Sequence, residues 1–278
     1  MELKITTLIE NDEPDVEGLI NEFGLSFLIE TKGRNILFDV GQTGDFVKNA
    51  EKLEKDLNLV DYVVLSHGHF DHANGVPTFM NKFSCRPTMF VGDGFFYKKY
   101  KQLQDGTYID GSVNFTKEQI EEKGFELITL KDNLHYIEDD IVIFYNFERT
   151  NSIEELRDEF QIKKGDSYVL DEFKDEIALG IITSKGLVVV VGCSHVGIVN
   201  ILTTIEKRMQ MPIYAVIGGT HLVDADKERI QYSIDEFERM KIHLFALSHC
   251  TGQLGEKMLK ETMKERFTPN NTGTVFTV

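Results

Sequence analysis

The sequence predicts a mixed α/β fold, and three observations carry that prediction. Short apolar runs rich in Val and Ile, as at 62–65 and 187–191, recur along the chain and read as buried strands. Between them lie segments with apolar residues at helical spacing, such as Phe46, Val47, Ala50 and Leu53. With 278 residues, 41% of them hydrophobic, the chain has enough apolar surface for one large domain spanning 1–278.

Taken in order, 25–30 and 35–39 flank a polar gap of turn size at 31–34 and predict a β-hairpin, with Asp39 at the end of its second strand. Gly41 to Gly44 break that strand before a helix at 45–54. The run 62–65 is the next strand, followed by a short helix entered through Pro77 and a strand at 88–91. From 95 to 173 the pattern loosens, with one helix at 117–123 and strand-like runs at 125–130 and 141–145. That stretch is longer than a connection needs to be and is read as an insertion. The charged run 151–158 reads as a solvated helix face, and Lys163-Lys164-Gly165-Asp166 as an exposed turn. The second half alternates more cleanly: a hairpin at 176–183 and 187–191, a helix at 198–209, a strand at 213–217, a helix at 227–240 and a strand at 243–247. An amphipathic helix at 255–266 and a strand at 272–278 complete the chain.

The densest chemistry follows the strand at 62–65, in His67-Gly68-His69-Phe70-Asp71-His72. Four potential metal ligands in six positions exceed what a solvated loop would carry. Imidazoles and a carboxylate suit divalent cations, and Gly68 leaves room for close approach. His67 and His69 can converge on one ion, and Asp71 and His72 can reach a second. Three later strands each run into a histidine: His195 in Gly192-Cys193-Ser194-His195, His221 in Gly218-Gly219-Thr220-His221, and His249 in Ser248-His249-Cys250. These ends place the candidate ligands along one edge of the layered sheets. His243 begins its strand instead, and His135 lies alone in the loosened stretch; neither is expected to bind metal.

The motif His67-x-His69-x-Asp71-His72, together with Gly192-Cys193-Ser194-His195-x-Gly197-Ile198, Gly218-Gly219-x-His221-Leu222 and His249-Cys250-Thr251-Gly252, resembles the metallo-β-lactamase superfamily. Within it, the pattern is similar to the group of dihydropterin and ribofuranosyl-aminobenzene phosphate synthases and metal-dependent hydrolases. The resemblance implies a four-layer αββα sandwich, with 95–173 as a cap over the metal site. It implies two divalent metal ions, zinc first and iron or manganese as alternatives. His67 and His69 would hold one; Asp71, His72 and His249 the other. Asp39 matches an acidic position that orients the ligand loop, although an Asp capping a turn explains it equally well from the residues alone. Where many relatives carry a bridging Asp, this chain has Cys193, so His195 is expected to supply the missing bond. Cys193 is then a packing residue or a thiolate ligand, and His221 a ligand or a contact to substrate.

The function so implied is hydrolysis of a small phosphoester, with Asp71 as ligand and proton acceptor and His221 as an acid or substrate contact. A dihydropterin-transferring synthase and a non-catalytic metal or redox sensor are the alternatives. The synthase would need an aromatic pocket, for which Phe95, Phe96, Tyr97, Tyr100 and Phe115 are candidates. The net charge of −16 argues against a nucleic-acid partner. Met1-Glu2-Leu3-Lys4 lacks the start of a signal peptide and no apolar run spans a membrane, so a cytoplasmic protein acting on a small molecule is expected. Cys85, Cys193 and Cys250 are too few and too scattered for a disulfide framework.

Overall fold

The structure is a computed structural model that describes residues 3–278. In chain order, β1 (Lys4–Ile9), β2 (Ser26–Thr31) and β3 (Arg34–Phe38) lead into α1 (Asp45–Lys52), β4 (Tyr62–Val64), α2 (Phe70–Ala73), α3 (Val76–Lys82) and β5 (Thr88–Val91). Then come β6 (Lys99–Gln102), β7 (Tyr108–Asp110), α4 (Lys117–Glu122), β8 (Leu127–Thr129), β9 (Leu134–Glu138), β10 (Ile141–Tyr145), β11 (Phe160–Lys164) and β12 (Ser167–Leu170). The last third holds β13 (Ile177–Thr183), β14 (Gly186–Val191), α5 (Ile198–Met209), β15 (Ile213–Gly219), α6 (Lys227–Arg239), β16 (Leu244–Ser248), α7 (Gly252–Met263) and β17 (Val275–Thr277).

Two sheets form the centre, ordered β17-β1-β2-β3-β4-β5-β8 and β16-β15-β14-β13-β10-β9. Side-chain alternation decides how they pack. Val188 and Val190 of β14 face a core shared with Phe27, Ile29, Ile36 and Phe38 of the first sheet. Val189 and Val191 face the other way, onto Ile198, Leu202 and Ile205 of α5 and Ile234 and Phe237 of α6. The outer face of the first sheet, through Leu28, Leu37 and Val63, is covered by Phe46 and Val47 of α1 and Phe79 of α3. Four layers result, helix, sheet, sheet, helix, as the resemblance implies. No helix of the described residues is long and apolar enough to cross a membrane.

The stretch 95–173 is divided in the structure. β8 joins the first central sheet and β9 and β10 join the second, while β6, β7, β11 and β12 make a separate sheet ordered β12-β11-β6-β7. An isolated bridge between His69 and Ser112 attaches this small sheet to the histidine motif. The segment 151–158 departs from the solvated helix expected of it. It is irregular, and Glu154 is buried with its carboxylate accepting the backbone N–H groups of Val199 (2.9 Å) and Asn200 (2.7 Å). Those N–H groups open α5 and have no partner within the helix, so the carboxylate belongs there rather than in water.

Candidate metal centre

The ligand candidates meet because parallel strands deliver them to one edge. β3, β4 and β5 run parallel in the first sheet, as do β14, β15 and β16 in the second. The loops that follow β4, β14, β15 and β16 therefore emerge on the same side, carrying His67 to His72, Cys193 and His195, His221, and His249. The approach is close enough to exclude side chains at two glycines. A Cβ on Gly68 would stand 2.0 Å from the Phe95 carbonyl oxygen, and one on Gly192 would stand 2.1 Å from Ser66 Oγ.

Two groups of donor atoms result, each of which could hold a metal ion: His67, His69 and His195 in one, and Asp71, His72, Cys193 and His249 in the other. In the first, His67 Nε2 lies 3.1 Å from His69 Nδ1, and His195 Nε2 is buried without a hydrogen-bond partner. In the second, His72 Nε2 lies 3.1 Å from both His249 Nε2 and Cys193 Sγ, and Asp71 Oδ2 lies 3.3 Å from His249 Nε2. At a zinc–nitrogen bond of about 2.05 Å a tetrahedral edge is about 3.3 Å. The donors thus stand at the separations that a shared cation requires.

Hydrogen-bond partners assign the ring tautomers. Asp39 accepts from the Ser66 N–H and Oγ–H at 2.7 Å each and from His72 Nδ1 at 2.6 Å. Ser66 Oγ, its proton committed to Asp39, accepts from His67 Nδ1 at 2.9 Å. Asn11 Oδ1, which also accepts the Gly24 N–H, takes the Nδ1 proton of His249 at 2.8 Å. His67 and His72 then each turn an Nε2 lone pair inward, and His249 points its Nε2 at Asp71. Facing lone pairs repel unless a positive charge lies between them, which is what a cation supplies.

The electrostatics agree. Burial pushes His67 and His195 well below the ordinary imidazole range, and burial with the nearby Lys99 ammonium lowers His69 to about 3. These rings are neutral and available as ligands. Burial alone would raise Asp71, but His72 and His249 hold it well below the usual carboxylate range. Burial opposes a charge on His249 too, yet the hydrogen bond to Asp71, followed by Cys250, lifts it to about 9. Burial pushes the Cys193 thiol up. The donor set therefore fits divalent cations.

Buried carboxylates hold three of the four loops by their backbone. Asp175 accepts the Gly68 N–H at 2.7 Å, Glu176 those of His195 (2.7 Å) and Val196 (2.8 Å), and Glu10 that of His249 (2.6 Å). Lys99, itself buried, binds Asp175 and Asp171 at 2.9 and 2.7 Å and so ties the small sheet to the same loops. Asp39, Ser194, His221 and His249 all have left-handed backbones, with φ of 54°, 64°, 49° and 57°. Strain of this kind, in non-glycine residues, gathers at sites that the surrounding structure over-determines.

His221 belongs to neither donor group. Its ring lies 4.3 Å from that of His195, and burial followed by Arg157 keeps it near 3. His135 and His243 are elsewhere, packed on Phe90 and Tyr214. A cavity of about 330 Å³ opens over the donors, walled by Phe23, Phe70, Tyr100, Ile109, Phe160, His221 and Val223, with Lys101 the single lysine or arginine on its wall among the described residues. Of the aromatic residues expected there only Tyr100 takes part. Phe95 and Phe115 are instead buried in the core between the first sheet and its helices, with Phe96 packed against them, and Tyr97 is exposed. Glu10, Asn11, Phe23, Lys99, Lys101, Phe160, Asp175 and Glu176 were not expected at the site.

The chain matches the metallo-beta-lactamase superfamily model over residues 20–199. It is 33% identical to the 7,8-dihydropterin-6-methyl-4-(beta-D-ribofuranosyl)-aminobenzene-5'-phosphate synthase of Methanocaldococcus jannaschii, covering 98% of this chain and 96% of that one. An uncharacterized protein of the same organism is 29% identical over 83% of this chain and 84% of its own. Among solved structures, a metal-dependent hydrolase of the beta-lactamase superfamily superposes with a TM-score of 0.85 at 24% identity, covering 99% of this chain and 98% of that one. A metallo-beta-lactamase fold protein of Bacillus subtilis gives 0.61 at 12% identity, with coverage of 100% and 99%.

Proposed function

This chain belongs to the metallo-beta-lactamase superfamily, and we propose that it is a metal-dependent hydrolase acting through a dinuclear centre on a small phosphoester. The convergence of two separate donor groups beneath one cavity carries this reading. His67, His69 and His195 would hold one ion; Asp71, His72 and His249 the other. When bound, such ions supply Lewis acidity to a phosphoryl oxygen and lower the pKa of an attacking water. Asp71, held ionised, accepts that water's proton. The second carboxylate on the cavity wall, Asp224, is engaged with Arg157 at 2.6 Å and is not free for the task. His221, kept neutral on the wall beside His195, donates a hydrogen bond to the leaving oxygen. The apolar walls bind an aromatic or ring-shaped body and exclude water from it. Lys101, with its ammonium 5.5 Å from the centre of the Phe160 ring, meets the anionic end of the substrate.

A second reading, a dihydropterin-transferring synthase, is favoured by one observation: the relative at 33% identity bears that name. An assay on protein loaded with zinc, manganese or iron separates the two. Turnover of phosphomonoesters, phosphodiesters or lactones supports the hydrolase; turnover only of a dihydropterin diphosphate supports the synthase. Bound iron without turnover of any of these would point to a sensor. His69→Ala combined with Asp71→Ala should remove metal while His135→Ala and His243→Ala leave stoichiometry unchanged. Full metal content in the double variant would end both enzymatic readings.

A further inference from the structure

Every arginine of the described residues but one gives its guanidinium to an acceptor. The exception is Arg229, in the first turn of α6, whose Nε is buried without a partner and whose guanidinium enters no ion pair. With 46 acidic residues against 30 lysines and arginines, the chain does not lack carboxylates to offer it. Glu154, the carboxylate that acts on Arg229 most strongly, is committed to the N–H groups of Val199 and Asn200. A largely buried guanidinium with donors and no acceptor is costly unless a ligand supplies one.

We propose that Arg229 and Arg157 form an anion subsite behind the His221 side of the cavity, which grips a second, non-reacting tetrahedral oxyanion of the substrate and which Asp224 fills in the free chain. His221 and Asp224 both line the cavity, and after burial the charges of Arg157 and Arg229 are the strongest influences on His221, so both guanidiniums stand close behind that wall. Arg157 pairs with Asp224 at 2.6 Å and with Glu159 at 2.5 Å. The Asp224 carboxylate thus stands in for a ligand oxyanion, within the field of Lys101 as well. Its side chain is 48% exposed, so it can turn out to water when a ligand takes its place, at the small cost of an exposed ion pair. Burial and the like charge of Arg157 both oppose the charge on Arg229, and an anion between the two guanidiniums relieves that opposition. Their planar forks suit the oxygens of a phosphate-type group. This rests on the reading of the cavity as the substrate site and deepens it: the substrate class narrows to phosphoesters that carry a second anionic group.

Calorimetric titration of inorganic sulfate into the full chain, dialysed against zinc, tests the subsite without recourse to activity. Arg229→Gln should weaken sulfate binding at least about tenfold, the worth of one charged hydrogen-bonding partner. Asp224→Asn, which removes the internal competitor, should tighten it about tenfold. Misfolding cannot produce a gain, so Asp224→Asn decides the matter should circular dichroism show that Arg229→Gln fails to fold. Sulfate that does not bind the wild type, binds Arg229→Gln equally well, or binds Asp224→Asn no more tightly would overturn the subsite. Elemental analysis of the same samples keeps the two readings apart. Full zinc content alongside any of those failures leaves the dinuclear reading standing, whereas the expected sulfate pattern in a chain without zinc supports the subsite and overturns the dinuclear reading.

Discussion

Asp39 is the residue on which the imidazole tautomers turn, since it accepts directly from His72 and, through Ser66, fixes His67. Asp39→Asn keeps the size and tolerates the left-handed backbone at φ 54°, but converts one accepting end into a donor. Metal affinity in a chelator competition should fall about 10- to 100-fold with the fold preserved; unchanged affinity would show that the histidine motif orients itself. Lys101 contributes charge, and its loss in Lys101→Gln should raise KM for anionic substrates about tenfold with kcat retained, the worth of one charged hydrogen bond. An equal rise for uncharged analogues would instead mean lost packing on Phe160. The motif residues were legible because four candidate ligands crowd into six positions. The residues that aim them were not. Asp175 grips Gly68 across 107 positions and Glu10 grips His249 across 239, and a carboxylate serving so distant an amide leaves no local pattern.

At the scale of elements, the long strands and helices announced themselves by periodicity, and β14, apolar at every position from Leu187 to Val191, is the clearest. The small sheet did not. Its strands read KYKQ, YID, FQIKK and SYVL, too short and too polar to suggest burial. Only Lys99 and Ile162 of these strands are buried, and a buried lysine is the opposite of a strand signal. The run 151–158 misleads for a related reason, because its charges look solvated although Glu154 caps α5. Glu154→Ala should cost about 1–2 kcal/mol in denaturant unfolding, the usual worth of a helix N-terminal cap. A change within error would mean that water replaces the carboxylate at no cost.

The whole molecule depends on charges that are paired where they are buried and crowded where they are not. Lys99→Met would leave Asp171 and Asp175 facing each other without a cation, and stability should drop by about 3–5 kcal/mol; hydrogen exchange should report the loss first in β6 and β11. Near the same edge, half-buried Glu256 is raised from 4.5 to about 7 by burial and then by Asp12 and Glu10. Between those values the folded chain holds a proton that the unfolded chain has released. The stabilisation is complete below about 4.5 and is lost as pH rises through 7. Relative to Glu256→Gln, the wild type should therefore lose about 1 kcal/mol across that window, after allowance for solvent screening. A constant difference across the window would rule the shift out. The resemblance covered this whole architecture, and the four layers followed from it; how the halves are held together did not. His72 and His249 come from opposite sheets and are 177 positions apart in the chain. An ion gripping both acts as a removable cross-link, and closing a loop of that length constrains the unfolded chain by about 5 kcal/mol. A bound ion would make that seam a reversible staple, tying the lifetime of the chain against unfolding and proteolysis to the supply of metal.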